Sequence, residues 1–281
     1  MRVHHYLKNG LIFLPVIFSG QLFQVEMMQK TVIGFFAFSL SSSAVYIFND
    51  IHDFESDSRH EVKRNRPIAS KEVSLRSAKY LAFLLLAAAA FLNYSASGRS
   101  FPAWIFIITY IVLNVFYSLG LKNVPLLDVA ILVSGYLLRV LYGAEITAVA
   151  ISKWLYLTVI SMSFYLGLGK RRNELIKQGD TMRKVLQYYN HGFLDKNMYV
   201  FLGLTIAFYA LWCVDPATIA AHSTDNIIWT VPLVMLICMK YSLNIENVSN
   251  EDPVDVLLSD KILLGLAFFY GICMMLIIYA K

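Results

Sequence analysis

The sequence predicts an all-α, polytopic membrane protein, and three observations carry that reading. Of its 281 residues 58% are hydrophobic and only 15% are charged, a balance too apolar for an ordinary soluble domain. The apolar residues gather into nine runs, at 11–23, 31–48, 74–93, 102–118, 124–143, 154–168, 197–214, 227–243 and 262–280, each near the length a helix needs to cross hydrocarbon. The basic residues then alternate between the connecting segments. With a cytoplasmic N-terminus, the inside segments hold Arg2, Lys8, seven Lys/Arg from Arg59 to Lys79, Lys122, seven from Lys170 to Lys196, Lys240 and Lys261, whereas the outside segments hold only Lys30, Arg99, Lys153 and Lys281. This bias predicts one integral domain over 1–281 with nine spans, N-terminus in and C-terminus out. The basic excess belongs to that topology and not to a nucleic-acid surface.

The N-terminal MRVHHYLKNGLIFLPVIFSG has the basic-then-apolar profile of a signal peptide. It reads instead as the first span, because its removal would reverse the orientation that the later loops support. Ahead of it, Arg2-x-x-x-Tyr6-x-Lys8-Asn9 either anchors the chain at headgroup level or holds Lys8 over the cytoplasmic mouth, where it can bind a phosphate. Span two carries Ser39, Ser41, Ser42 and Ser43, small residues suited to close helix packing. It runs directly into the most charged stretch of the chain, YIFNDIHDFESDSRHEVKRNRP, residues 46–67.

The first half of that stretch, Asn49-Asp50-x-x-Asp53-x-x-x-Asp57, predicts a continuing helix with Tyr46, Asn49, Asp53 and Asp57 on one face. Carboxylates one turn apart repel, so Asp50, Asp53 and Asp57 beside Asn49 call for a divalent cation, and oxygen-only ligands point to Mg²⁺. The second half, Lys63-Arg64-x-Arg66-Pro67, supplies cations able to grip phosphate oxygens. A metal site followed by a basic cluster is what a metal-bound diphosphate requires. The plain alternative is a solvated cytoplasmic loop, against which the regular Asn/Asp spacing counts.

After Pro67, Ser70 or Ser74 caps span three, whose LAFLLLAAAAFL is lipid-facing or packing material. A Gly98-Arg99-Ser100 turn and Pro102 begin span four. At its far end Asn114, Tyr117 and Ser118 share a helical face, and Lys122 follows at the turn. Asp128 and Arg139 fall inside span five. They are eleven residues apart, three turns plus about 20°, so both project the same way, either as a structural ion pair or towards a polar cavity. After span six comes Gly167-Leu168-Gly169-Lys170-Arg171-Arg172-Asn173-Glu174, read as a loop whose glycines and cations can approach an anion, or an anionic headgroup. An amphipathic stretch through Arg183, Tyr188, Tyr189 and Asp195 leads into span seven. The last inside segment is acidic; Glu251, Asp252, Asp255 and Asp260 suit a solvated loop better than a second metal. Cys213, Cys238 and Cys273 lie in apolar runs and imply neither a disulfide framework nor a zinc site, and the six histidines have no ligand spacing.

The acidic motif before a basic cluster, the nine spans and the second polar motif after span four together resemble the UbiA superfamily of intramembrane prenyltransferases. Within it the chain is similar to the polyprenyl-phosphate phosphoribosyltransferase branch in Tyr6-x-Lys8-Asn9, Lys63-Arg64-x-Arg66-Pro67-Ile68, Tyr117-Ser118-x-x-Leu121-Lys122, Gly135-x-x-x-Arg139 and Gly169-Lys170-Arg171. Members that join a prenyl diphosphate to an aromatic ring carry a second DxxxD motif after span four. This chain has Lys122 there and, six residues later, the single Asp128. Cations in place of a second metal cluster suit two substrates that each bring phosphate.

The resemblance implies a UbiA-like helix bundle with a polar cavity facing the cytoplasm, in the inner or plasma membrane. It implies Mg²⁺-dependent transfer of 5-phosphoribose from phosphoribosyl diphosphate to a decaprenyl-like polyprenyl phosphate, as a step of cell-envelope biosynthesis, and leaves room for a homo-oligomer. Asn49 and Asp53 would hold the metal, with Asp50 and Asp57 as further ligands or supports. Lys8, Tyr46, Lys63, Arg64 and Arg66 are the candidates for phosphoribosyl diphosphate; Asp53, Asn49 and Lys63 are those closest to catalysis. Tyr117, Ser118, Lys122, Arg139, Lys170 and Arg171 are candidates for the acceptor phosphate or the sugar 5-phosphate. The competing readings are prenyl transfer to an aromatic or other neutral acceptor, and a membrane carrier for an anion or lipid phosphate.

Overall fold

The structure, a computed structural model, describes residues 3–59, 63–177, 184–247 and 253–280. Among these residues every regular element is helical. A 3₁₀ segment, Val3–Phe13, leads into α1 (Leu14–Phe18), α2 (Val25–His52), α3 (Phe54–Ser58), α4 (Leu75–Ser97) and α5 (Phe101–Leu119). Then come α6 (Leu127–Thr147), α7 (Lys153–Lys177), α8 (His191–Val214), α9 (Pro216–His222), α10 (Val231–Asn247), α11 (Pro253–Ser259) and α12 (Lys261–Tyr279). Polar side chains start several of them: Ser74 accepts the Ser77 N–H at 3.1 Å ahead of α4, Asn190 caps α8, and Asp260 accepts the N–H groups of Ile262 and Leu263 ahead of α12.

Seven helices among the described residues are long and apolar enough to cross a membrane, and the chain is an integral membrane protein. They are α2, α4, α5, α6, α8, the stretch Asn226–Glu246 and α12. The other two expected spans differ for physical reasons. Tyr6–Phe18 is apolar but short, and most of it is wound as a 3₁₀ helix. In α7 the apolar run is diluted by Thr158, Ser161 and Ser163 and ends in Lys170, Arg171 and Arg172. Glu251, Asp252 and Arg183 lie outside the described residues.

The helices cluster into two compact units. The first takes Met1–Val16, Leu22–Lys122 and Leu138–Val149; the second takes Ile17–Gln21, Asn123–Leu137 and Ala150–Lys281. In the first, α2 packs along α4 and α5, and Ile12, Phe38, Tyr110, Tyr142 and Ile146 form its core. Gly143 permits a close crossing there, since a Cβ on it would lie 2.1 Å from the backbone oxygen of Ile12. A smaller apolar cluster of Ile47, Ile68 and Ala78 braces the end of α2.

In the second unit α7 packs along α8, and α10 along α12. Tyr165, Leu168, Leu194 and Leu263 form one core, which the Val185 and Leu186 pair from the stretch before α8 joins fully buried. The expected anion-binding loop at Gly167–Glu174 is instead helical throughout. Its glycines serve packing: a Cβ on Gly167 would meet Val129 at 3.2 Å, and one on Gly169 would meet Ile245 at 3.0 Å. All three cysteines are free.

Candidate active site

The site begins where α2 ends. The spacing predicts one helix running through Asp57, but the helix stops at His52 and resumes at Phe54, with Asp53 between them at φ −87° and ψ 8°. The ladder bends without breaking, as the Asp53 N–H donates to the Asn49 carbonyl at 2.9 Å and the Asp57 N–H to the Asp53 carbonyl at 2.8 Å. Negative side chains at a helix C-terminus are opposed by its partial negative charge. Asp53 caps the C-terminus of α2 and the N-terminus of α3 at once, and the positive end of α3 offsets the opposition that α2 alone would offer Asp53 and Asp57.

Every aspartate of the motif meets a cation. One guanidinium nitrogen of Arg66 lies 3.2 Å from Asp50 Oδ1 and 2.5 Å from Asp57 Oδ2, so the basic cluster folds back over the acidic one. The Lys122 ammonium lies 3.1 and 3.4 Å from the two oxygens of Asp53. Four residues earlier on each side, the Ser118 hydroxyl donates to Asn49 Oδ1. Both pairs are 69 residues apart in sequence, so the end of α5 and the turn after it run in register with the acidic motif. The two polar motifs that the sequence separates by a whole span are therefore one cluster.

Partial burial alone would raise the Asp53 carboxyl, yet hydrogen bonds from His52 and Lys122 and their charges outweigh it and hold the group below the usual carboxylate range. Asp57 is buried; Tyr46, Asn49, Asp50, Lys63, Arg66, Tyr117 and Lys122 are half-buried, and Arg64 is exposed. Among the described residues no three His, Cys, Asp or Glu side chains converge as a ready-made metal cage. The donor set nevertheless fits a hard ion. Asn49, Asp50 and Asp53 offer only oxygens, and Mg²⁺ is commonly held by one or two carboxylates with phosphate oxygens and waters completing its shell.

The sequence reading gives the serines of α2 no role beyond packing, and here the structure adds one. Tyr6 shares a 2.8 Å hydrogen bond with Ser43, and the Asn9 amide donates to Ser39 at 2.8 Å and to Ser42 at 3.4 Å. The spacing that could have revealed this polar stripe is plain in retrospect: Ser39, Ser42, Tyr46, Asn49 and Asp53 recur every three or four residues. Arg139 belongs to this network. Its Nε donates to Asn9 Oδ1 at 2.7 Å and its Nη2 to the Tyr110 hydroxyl at 3.3 Å. Its guanidinium carbon lies 5.0 Å from the Phe38 ring centre and 4.8 Å from that of Tyr110. Lys8, between the two anchors, is half-buried.

Asp128 and Arg139, whose spacing along α6 suggests either an ion pair or a shared polar cavity, each hydrogen-bond to other partners. In the second unit Asp128 accepts from Arg171 Nε at 2.6 Å and from the Tyr189 hydroxyl at 2.6 Å, and Arg171 also pairs with Glu174. Asp128 and Arg171 are fully buried. Tyr189 in turn receives the backbone N–H of Leu126 at 2.7 Å, where the chain turns through φ +67° before α6. Burial and the Asp128 carboxylate push the Tyr189 phenol up to about 12. Arg171 is thus enclosed by carboxylates, while its neighbour Lys170 is half-buried. Glu174 went unassigned in the sequence because a lone carboxylate beside a basic run carries no spacing signal.

Known proteins resemble this chain in sequence and in fold. The model of the UbiA prenyltransferase family matches residues 13–271. Decaprenyl-phosphate phosphoribosyltransferase of Corynebacterium glutamicum is 30% identical over 288 residues, covering 99% of this chain and 85% of that one. The enzyme of the same name from Mycobacterium tuberculosis is 27% identical over 277 residues, covering 95% and 89%. Among solved structures, a UbiA homologue from Archaeoglobus fulgidus bound to DMAPP and Mg²⁺ superposes with a TM-score of 0.72 at 16% identity, covering 98% of this chain and 96% of that one. With a family match along nearly its whole length and the same fold, this chain belongs to the UbiA prenyltransferase family and is a membrane-embedded transferase.

Proposed function

We propose that the protein transfers 5-phosphoribose from phosphoribosyl diphosphate to the phosphate of a long, decaprenyl-like polyprenyl carrier, with Mg²⁺ as cofactor and at the cytoplasmic face of the inner or plasma membrane. The observation that carries this reading is the pairing of Lys122 with Asp53. The second polar motif meets the first through an ammonium and not through further carboxylates. A site for one diphosphate and a neutral acceptor needs no such cation; a site for two phosphate-bearing substrates does. The phosphoribosyltransferase names of relatives at up to 30% identity along 99% of the chain support the same substrates.

In the reaction the bond between C1 of the ribose and the diphosphate oxygen breaks, and its electron pair leaves with diphosphate. An oxygen of the lipid phosphate forms the new bond to C1. That oxygen is already anionic, so no side chain has to remove a proton, and positioning with charge neutralisation does most of the work. Asn49, Asp50 and Asp53 are the donors for Mg²⁺, which when bound supplies positive charge to the leaving diphosphate. Asp57 supports them through Arg66. Lys8, Tyr46, Lys63, Arg64 and Arg66 grip the donor phosphates, and Tyr117, Ser118 and Lys122 serve the acceptor phosphate or the sugar 5-phosphate. The assignment of Lys170 to the acceptor rests on resemblance alone, and the carboxylates around Arg171 favour a structural role for it.

The test is an assay of the detergent-purified protein with radiolabelled phosphoribosyl diphosphate, a short polyprenyl phosphate and Mg²⁺, following label into the organic phase. Label should move only when all three are present. Consumption of a prenyl diphosphate with an aromatic acceptor, and no label transfer, would overturn the proposal and leave family membership intact.

A further inference from the structure

We infer that Arg139 is a positioning residue that acts through Asn9 to pin the N-terminal 3₁₀ segment along the polar stripe of α2, and so sets where Lys8 stands. The assignment of Lys8 to the donor rests on the function proposed above; the pinning does not. All the residues concerned lie within the first unit.

The segment Val3–Phe13 has eleven residues of 3₁₀ helix, far longer than the three or four at which such helices usually stop. Something outside the segment must hold it in that form. A 3₁₀ helix repeats every three residues, so Tyr6, Asn9 and Ile12 stack on one face, and each of the three is anchored. Tyr6 meets Ser43, Asn9 meets Ser39 and Ser42, and the Ile12 carbonyl lies against Gly143. The match of rises explains the register. From Tyr6 to Asn9 the 3₁₀ segment climbs about 6 Å, and from Ser39 to Ser43 the α-helix also climbs about 6 Å.

The pairing runs antiparallel: the segment's lower numbers meet the higher numbers of α2. Its N-terminal end therefore lies on the side of Tyr46, Asn49 and Asp53, which continue the same stripe. Arg139 closes the attachment. Asn9 is 1% exposed, and its amide has one productive orientation, because the nitrogen donates to serines while the oxygen accepts from Arg139. Arg139, 5% exposed, is itself fixed by Tyr110 and by the rings of Phe38 and Tyr110. A side chain enclosed in this way has its hydrogen-bonding edge turned to protein, which suits a support better than a contact with a substrate phosphate.

The experiment compares the full-length wild type with Arg139→Met, Asn9→Ala and Lys8→Met in detergent. Hydrogen–deuterium exchange reads the pinning directly: Arg139→Met and Asn9→Ala should each speed exchange across residues 3–13 by about tenfold, the scale of one lost charge-assisted hydrogen bond, and leave α4 unchanged. Unaltered exchange in that segment would overturn the inference whatever the substrate is. With phosphoribosyl diphosphate as donor, Arg139→Met should raise its KM by about tenfold with little change in kcat, and adding Arg139→Met to Lys8→Met should bring no further loss. Multiplicative losses, or a raised KM for the polyprenyl phosphate alone, would show that Arg139 touches substrate and would overturn it. A wild type that does not use phosphoribosyl diphosphate would sink the proposed function, while the exchange result would still decide the pinning.

Discussion

The ammonium of Lys122 lies 3.1 Å from one carboxylate oxygen of Asp53 and 3.4 Å from the other, joining two motifs that are 69 residues apart. Removing the cation should therefore damage catalysis rather than folding. Lys122→Ala is expected to lower kcat/KM by at least about tenfold, the loss of one charged hydrogen bond. Arg172→Ala, which removes the partly exposed pair with Asp195 at 2.6 Å, should stay within about threefold of wild type. Steady-state kinetics on both purified variants checks this, and equal losses would mean that Lys122 serves only to attract lipid headgroups.

Asp53 stands at the junction of α2 and α3, where Lys122 and His52 both reach it. Asp53→Ala should nearly abolish turnover while the protein still inserts and purifies with an unchanged gel-filtration profile. Because the group titrates below the usual carboxylate range, the variant removes an oxygen donor that is ionised at neutral pH. Full turnover in monodisperse Asp53→Ala would end the assignment of this residue to catalysis.

Gly143 and Gly10 separate close packing from open space. A Cβ on Gly143 would lie 2.1 Å from the Ile12 backbone oxygen, whereas a Cβ on Gly10 would meet nothing within 4 Å. Gly143→Ala should destabilise the first unit by about 1–3 kcal/mol, because backbone cannot step aside as a flexible side chain can. Gly10→Ala should be close to neutral. Thermal unfolding of both variants in detergent distinguishes them.

Arg171 and Asp128 form a fully buried pair. Breaking it by Arg171→Met leaves Asp128 and Glu174 without their guanidinium, a change that typically costs about 3–5 kcal/mol. The double variant Arg171→Met/Asp128→Leu should recover part of that loss, measured as the melting temperature.

Tyr189 gives the same network a pH signature. Its phenol is raised from an ordinary 10.0 to about 12, so the folded state keeps a proton that the unfolded chain releases. The contribution is complete below pH 10 and fades as pH rises from 10 towards 12. The melting temperature of the wild type should thus fall across that window more steeply than that of Tyr189→Phe.

Much of this protein is written in local sequence. Apolar runs of membrane length determine that it is a bundle of spanning helices, since hydrocarbon tolerates no unpaired backbone. Ser74 and Asp260 cap the helices they precede, because capping depends on neighbours within four residues. The acidic motif and the basic cluster after it are legible for the same reason: Asp50, Asp57 and Arg66 meet within one short stretch.

What lay beyond local sequence is decided by partners far along the chain. Nothing in the spacing of Gly167 and Gly169 separates an anion-binding loop from a helix packed tightly on Val129 and Ile245; the facing side chains settle it. Asp128 and Arg139 sit on one helix at a spacing that suggests a pair, yet burial gives each a nearer counterpart, Arg171 for one and Asn9 for the other. Charges and amides removed from water take whichever partner the packing brings within hydrogen-bonding distance. The sequence therefore determined which residues must be satisfied, and only the tertiary structure decided by whom.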